Sequence, residues 1–186
     1  VNGKRRHRSA LVQFFAPAAG NGAHGVDVGM VPGIAIKRVE VLRDGAAAQY
    51  GSDAIAGVMN FMLKDTADGG SLELRRGGFT AGDGDAFSIA GNIGLPLGEN
   101  GFLNLSAEYG TSDPTDRSVQ RDDAAGLILA GNNSVRDPAQ IWGSPEIEDD
   151  IKLFANFGYL FDSGQQFYGH ANYASKTTTG GFYFRN

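Results

Sequence analysis

The chain has 186 residues and carries 28 glycines, no cysteine and a net charge of −5; that glycine count is about twice the usual share and argues against an ordinary helical protein. No disulfide scaffold, thiol nucleophile or thiolate metal site can be built without cysteine. A pI near 5.1 argues against general nucleic-acid binding, which needs a cationic surface.

Val1-Asn2-Gly3-Lys4-Arg5-Arg6 opens the sequence without an initiator methionine or a charged-then-apolar leader, and Gly181-Phe182-Tyr183-Phe184-Arg185-Asn186 closes it on a strand-like run. The expectation is an internal piece of a longer polypeptide. The basic run Lys4, Arg5, Arg6, His7, Arg8 suits a phosphate or an anionic lipid, and equally a solvated edge. Residues 14–33 hold Pro17, Gly20, Gly22, Gly25, Gly29, Pro32 and Gly33, which predicts a long loop. Within it Gly20-Asn21-Gly22-Ala23-His24-Gly25 matches G-x-G-x-x-G. Gly29, Pro32 and Gly33 follow too closely for the helix that would hold a pyrophosphate.

Residues 36–43 and 57–64 are β-branched, half-apolar runs and predict two strands. The alanine-rich stretch between them allows one or two helical turns, limited by Gly45 and Gly51. From residues 64–71 onward the period becomes two, which predicts strands at 71–79, 85–95, 102–109, 151–161 and 166–175. Phe87, Ile89, Ile93 and Leu95 face away from Ser88, Ala90 and Asn92. Leu103, Leu105, Ala107 and Tyr109 oppose Asn104, Ser106 and Glu108. Ile151, Leu153, Ala155, Phe157, Tyr159 and Phe161 share one face, although Phe154 and Leu160 spoil the other. Phe167, Ala171 and Tyr173 oppose Gln166, His170 and Asn172, and Leu72 and Leu74 oppose Glu73 and Arg75. A sixth strand could begin near Gly180.

Short polar turns at 96–101 and 162–164 join two pairs of these strands. About forty residues, 111–150, join the third and fourth, and they carry nine acids against three arginines, net −6. Short turns on one edge and a long loop on the other match outer-membrane barrels, and Tyr109, Tyr159, Phe161, Phe167 and Tyr168 suit aromatic girdles. A soluble antiparallel sheet with one buried face shows the same alternation. No run approaches the ~18 apolar residues of a membrane-spanning helix.

Catalytic apparatus is not visible. His7, His24 and His170 share no metal-ligand spacing, and Asp83 and Asp85 are explained by a hairpin turn as well as by a calcium ion. No G-x-S-x-G elbow or acid/base pair occurs, so no enzymatic activity, metal or cofactor is expected.

The stretch Ile36-Lys37-Arg38-Val39-Glu40-Val41-Leu42-Arg43-Asp44-Gly45, followed by Gln49-Tyr50-Gly51-Ser52-Asp53-Ala54-Ile55-Ala56-Gly57-Val58-Met59-Asn60-Phe61-Met62-Leu63-Lys64, resembles the plug of TonB-dependent outer-membrane receptors. About thirty contiguous positions carry the match. The resemblance implies a mainly β fold, with an α+β plug segment at 1–66 followed by the first five or so antiparallel strands of a transmembrane β-barrel at 67–186. It implies energy-coupled uptake of a scarce ligand (siderophore-iron, haem, cobalamin or oligosaccharide), with the TonB energy-transducing protein, outer-membrane lipid and a small extracellular ligand as partners. Plug loops ahead of the first strand face the ligand in this family, which points to Arg6, His7, Arg8, Gln13, Phe14, Phe15 and His24. Arg38, Glu40 and Arg43 fall where the family's plug pairs with the barrel wall, and residues 111–150 would be extracellular. Two departures stand against the match. The TonB box and the first part of the plug are missing, and five strands cannot close a barrel that needs at least eight. The other reading is a soluble β-rich binding or adhesion module whose contact surface is the acidic loop.

Overall fold

A computed structural model of the chain describes residues 1–6, 26–43, 45–51, 54 and 57–181. In chain order it contains a 3-10 turn at Gly33–Ala35, strand β1 at Ile36–Leu42, helix α1 at Ala46–Tyr50 and β2 at Val58–Leu63. Then follow β3 at Gly70–Gly77, β4 at Ala86–Pro96, β5 at Gly101–Ser112, helix α2 at Asp122–Leu129, β6 at Glu146–Leu160 and β7 at Gln166–Thr179. β1 and β2 form an antiparallel two-stranded sheet, and β3 to β7 form a five-stranded antiparallel sheet in sequence order. Each of the seven strands overlaps one expected from the sequence, β1 and β2 from their β-branched runs and β3 to β7 from the period of two.

Several bounds differ from the sequence reading: β3 ends at Gly77 and β7 runs on to Thr179. β5 runs on to Ser112 and β6 begins at Glu146, so the long connection is 113–145. The acids Glu146, Glu148, Asp149 and Asp150 lie in a strand, because ladder hydrogen bonds are made by the backbone and do not depend on side-chain polarity. Thr179 Oγ1 donates to Glu148 Oε1 at 3.2 Å and Lys176 Nζ lies 3.5 Å from Asp150 Oδ2, so the acidic run is held by β7. The connection also contains α2. Asp122 and Asp123 occupy its first turn, where the helix dipole favours negative charge.

The chain forms two compact units. The first comprises Val1–Ser71, Gly91–Ala107 and Lys152–Tyr173. Its apolar core is Val31, Ala35, Leu63 and Phe154, with Val1 and Ile36 against them. The β1–β2 register pairs Val39 with Phe61 and Val41 with Met59. Asn2 closes the outer side of β2: its backbone N–H donates to the Phe61 carbonyl at 3.0 Å and its Oδ1 accepts from the Leu63 N–H at 2.9 Å.

The second unit comprises Leu72–Ala90, Glu108–Ile151 and Ala174–Asn186. Here the β5–β6 ladder continues past the strands, with the Thr115 N–H donating to the Ser144 carbonyl at 3.1 Å and the Arg117 N–H to the Trp142 carbonyl at 2.7 Å. Above this stem α2 packs its Ala124 on Val135 and Ala139, with Leu127 and Ile128 around them. Gln120 ties the packing together, accepting from the N–H groups of Arg121 and Ala139 and donating to the Arg136 carbonyl, each at 3.0 Å. Residues 113–145 therefore have a small core of their own.

Candidate functional site

The five-stranded sheet is inverted relative to a soluble one. Along β4, residues Ala90, Asn92 and Gly94 are buried while Phe87, Ile89, Ile93 and Leu95 are exposed. In β5, Asn104 and Ser106 are buried beside an exposed Leu105; in β6, Phe154, Asn156 and Gly158 are buried beside exposed Ile151 and Leu153. Asn104 is 2 % and Asn156 4 % exposed, against 47 % for Leu153 and 48 % for Ile93. The covered face is polar and the uncovered face is an apolar band that continues through Phe167 and Tyr173 of β7. A soluble sheet buries its apolar face instead.

The covered face is a hydrogen-bonded seam. Asn92 Nδ2 donates to Asn104 Oδ1 at 2.6 Å, Ser106 Oγ at 2.8 Å and the Leu105 carbonyl at 3.1 Å. Asn104 Nδ2 in turn reaches the Thr66 carbonyl and Oγ1, both at 3.3 Å. Asn156 Nδ2 donates to the Lys64 carbonyl at 2.9 Å, and Asn156 Oδ1 accepts from Asn2 Nδ2 at 3.4 Å. No buried side-chain nitrogen or oxygen among the described residues lacks a partner, the condition under which a buried polar face is tolerated.

Gly94 is the closest approach in this seam. A Cβ there would stand 2.6 Å from the Thr66 carbonyl oxygen and 2.8 Å from the Asp68 backbone, and the Gly94 N–H donates to the Gly69 carbonyl at 2.9 Å. Only glycine lets the 66–69 segment lie on β4 at this distance. Phe154, which breaks the alternation of β6, is 3 % exposed and completes the core of Val31, Ala35 and Leu63.

Of the ligand-facing residues expected from the sequence, His7, Arg8, Gln13, Phe14, Phe15 and His24 lie outside the described residues, as does the glycine pattern at 20–25. Arg6 Nη2 donates to Asn172 Oδ1 of β7 at 3.4 Å. With Lys4, Arg5, Val28, Met59 and Phe61 it lines a cavity of about 590 Å3, so three cations of the basic run share one recess. Arg38 and Glu40 meet each other: Arg38 Nε and Nη2 lie 2.8 and 2.7 Å from Glu40 Oε1, and Asn60 Nδ2 donates to Glu40 Oε2 at 3.1 Å. The Arg38 hydrogen bond first, then that of Asn60, holds the Glu40 carboxyl below its ordinary pKa. Arg43 is exposed at the end of β1.

In the second unit Arg117 ties the 113–145 segment to the β3–β4 loop. Its Nη2 donates to Asp83 Oδ1 at 2.7 Å, its Nη1 to Asp83 Oδ2, and its guanidinium carbon lies 5.8 Å from the Phe79 ring centre. The Arg117 hydrogen bonds hold the Asp83 carboxyl below its ordinary range. A carboxyl depressed in the folded state contributes in full above its unfolded pKa, about 3.9, and loses that contribution as pH falls through the lower folded value. In a full-length variant with Trp142 as its single tryptophan, emission is expected to stay constant from neutral pH down to about 4 and to change below it. Asp83→Asn should remove the transition. A wild-type emission that never moves in acid would show that Arg117 does not hold the stem through Asp83.

The asparagine seam was not singled out from the sequence, and Phe154 was noted only as a residue that spoils one face of its strand. The available signal was one asparagine at the centre of the polar face in each of β4, β5 and β6, and one aromatic residue on the wrong face.

Residues 1–58 match the family model for the TonB-dependent receptor plug domain. Over 107 residues the chain is 32 % identical to the vitamin B12 transporter BtuB of Photobacterium profundum, a stretch covering 57 % of this chain and 17 % of that protein. The chain thus spans about a sixth of the length of that relative. No solved structure matches it.

Proposed function

We propose, from the match of residues 1–58 to the TonB-dependent receptor plug domain, that β3 to β7 are the first wall strands of an outer-membrane β-barrel and that the protein takes up a scarce extracellular ligand. The single observation that carries this reading is the inverted sheet, with a polar face turned to the plug and an apolar face left for lipid. A barrel that holds a plug needs this arrangement, because its outer band meets hydrocarbon and its interior meets polar groups. A soluble binding module would bury the opposite face.

The short connections after β4 and β6 lie on the periplasmic side in this reading, and residues 113–145 on the outside with the β3–β4 loop. The plug closes the barrel at rest. A ligand of the siderophore-iron, haem, cobalamin or oligosaccharide class binds at the plug apex, where Arg6, His7, Arg8, Gln13, Phe14, Phe15 and His24 contribute. TonB then pulls the plug aside. Arg38 and Glu40, mutually satisfied here, exchange partners with charges of wall strands beyond β7 together with Arg43.

The test is the full-length receptor in cells lacking their own receptors, with labelled cyanocobalamin first, because the relative is a vitamin B12 transporter, then ferrichrome iron, haem iron and a maltodextrin. Accumulation that requires both TonB and the proton gradient is the expected result, with the protein in the outer-membrane fraction. A receptor recovered as a soluble protein would overturn the reading. Phe15→Ala and Arg8→Ala are expected to weaken binding, and unchanged affinity would remove both from the apex.

A further inference from the structure

We propose that residues 113–145 form a saccharide-reading surface with Trp142 as its stacking plate, which selects the oligosaccharide class from the four ligand classes named above. The inference rests on the receptor reading, in which this segment lies outside, and adds to it the chemistry of the first contact.

Composition and mounting carry it together. The segment holds five aspartates, three arginines, two asparagines and two glutamines, and no lysine, glutamate or histidine. Each of these twelve groups is planar and presents hydrogen-bonding atoms at a fixed spacing, which suits the adjacent hydroxyls of a sugar ring. Trp142 is the one aromatic side chain among them and is 61 % exposed, although an indole is ordinarily well covered. Its backbone is fixed on both sides: the N–H donates to Ser118 Oγ at 2.8 Å and the carbonyl accepts from the Arg117 N–H at 2.7 Å. A Cβ at Gly143 would stand 1.7 Å from the Thr115 carbonyl oxygen, so only glycine lets the chain beside the tryptophan press on Thr115. Arg117 is clamped on Asp83, and α2 packs on Val135 and Ala139. The plate is therefore held ready before any ligand arrives, which removes an ordering cost from binding.

A pyranose has an apolar C–H face that lies on an indole and a rim of hydroxyls that reaches the polar groups beside it. Asp116 stands next to Arg117 on the opposite side of the stem, and its Oδ1 accepts from the Ser118 N–H at 2.8 Å. The Ser118 hydrogen bonds hold this carboxyl below its ordinary pKa, so it accepts from hydroxyls throughout the neutral range. The other ligand classes suit the segment less. Haem iron takes His, Cys, Met or Tyr, and residues 113–145 contain none of the four. An anionic iron chelate calls for available cations, whereas Arg117 is paired with Asp83 and Arg121 with Asp123. Cobalamin, rimmed with amides, is the competing probe.

The experiment applies purified full-length receptor, in a detergent without a sugar headgroup, to an array of neutral and acidic oligosaccharides, with cyanocobalamin and haemin binding measured beside it. Retention on at least one oligosaccharide is expected. Trp142→Ala should weaken that binding by about thirtyfold, the loss of one aromatic anchor. Trp142→Phe, which keeps a ring, should stay within about fivefold of wild type. Folding is checked by heat-modifiable mobility. If Trp142→Ala does not fold, Asp116→Asn carries the test, with an expected loss of about tenfold. A receptor that binds no oligosaccharide, or binds one equally well after these substitutions, overturns the saccharide assignment. Cyanocobalamin bound by the wild type and lost with Trp142→Ala overturns it too. TonB-dependent uptake of cyanocobalamin, ferrichrome iron or haem iron in those cases leaves the receptor reading standing. An oligosaccharide-binding protein recovered in the soluble fraction overturns the receptor reading and keeps the sugar site.

Discussion

If β6 is a wall strand of an outer-membrane barrel, as proposed, arginine in place of Leu153 is expected to destabilise the folded protein by about 2–4 kcal/mol. Leu153 is the midpoint of β6, Glu146–Leu160, and lies on its apolar face beside Ile151 and Ala155. At 47 % exposure the same substitution in a water-facing sheet would change stability by no more than about 0.5 kcal/mol. The whole difference comes from the solvent on that face: a guanidinium at the depth of the bilayer midplane loses its hydration, and one in water keeps it.

Position 152 supplies the internal comparison. Lys152 sits one residue earlier on the other face, half-buried, so a cation is already accommodated at the same depth when it points inward. Depth supplies a second comparison. Arginine at Ile147, near the start of β6, should cost only about 0–1 kcal/mol, because the penalty falls toward the interface. The measurement is urea unfolding of the full-length receptor in phosphatidylcholine vesicles. A neutral Leu153→Arg, or equal costs at 147 and 153, would place the apolar band in water and return the soluble-module reading.

The strands were legible because their sequence obeys a single rule. Period two with an apolar and a polar side fixes the register of each strand against one-residue slips, and Ile93 and Asn92 fall on their observed faces for that reason alone. Which face is covered was not legible, since alternation is symmetric under exchange of inside and outside. The decision needs a tertiary fact, namely that Lys64 and Thr66 offer their carbonyls to Asn156 and Asn104. Helix α2 was missed for a different reason. Its apolar stripe of Ala124, Leu127 and Ile128 spans little more than one turn, too short to stand out as a period, and Gly126 lowers the local propensity. Its one usable mark was Asp122 and Asp123 at the start. The start of β6 was misjudged because its charges were taken for loop, and the end of β5 because Gly110, Thr111 and Ser112 carry no apolar alternation.

Leucine in place of Asn92 is the converse experiment on the covered face. Asn92 is buried and its Nδ2 is shared by Asn104 Oδ1, Ser106 Oγ and the Leu105 carbonyl. Leucine has similar volume and would suit the interior of a soluble sheet, where this change would be neutral or stabilising. In the seam described here it strips Asn104 Oδ1 of its 2.6 Å donor, and Asn104 is 2 % exposed, too buried to recruit water freely. The expected cost is about 1–3 kcal/mol for the orphaned acceptor. Ile93→Leu, one residue along and facing outward, is expected to cost less than about 1.5 kcal/mol. Coupling separates a network from a merely crowded site: Asn92→Leu and Asn104→Leu made together should cost less than the sum of the two singles by about 0.5–3 kcal/mol, because the second change removes the acceptor that the first left unpaired. Part of the Asn104→Leu cost remains in the pair, since Thr66 loses its bond from Asn104 in either background. Strict additivity would mean that the two asparagines act independently, and the covered face would then be a set of separate polar contacts and not a seam.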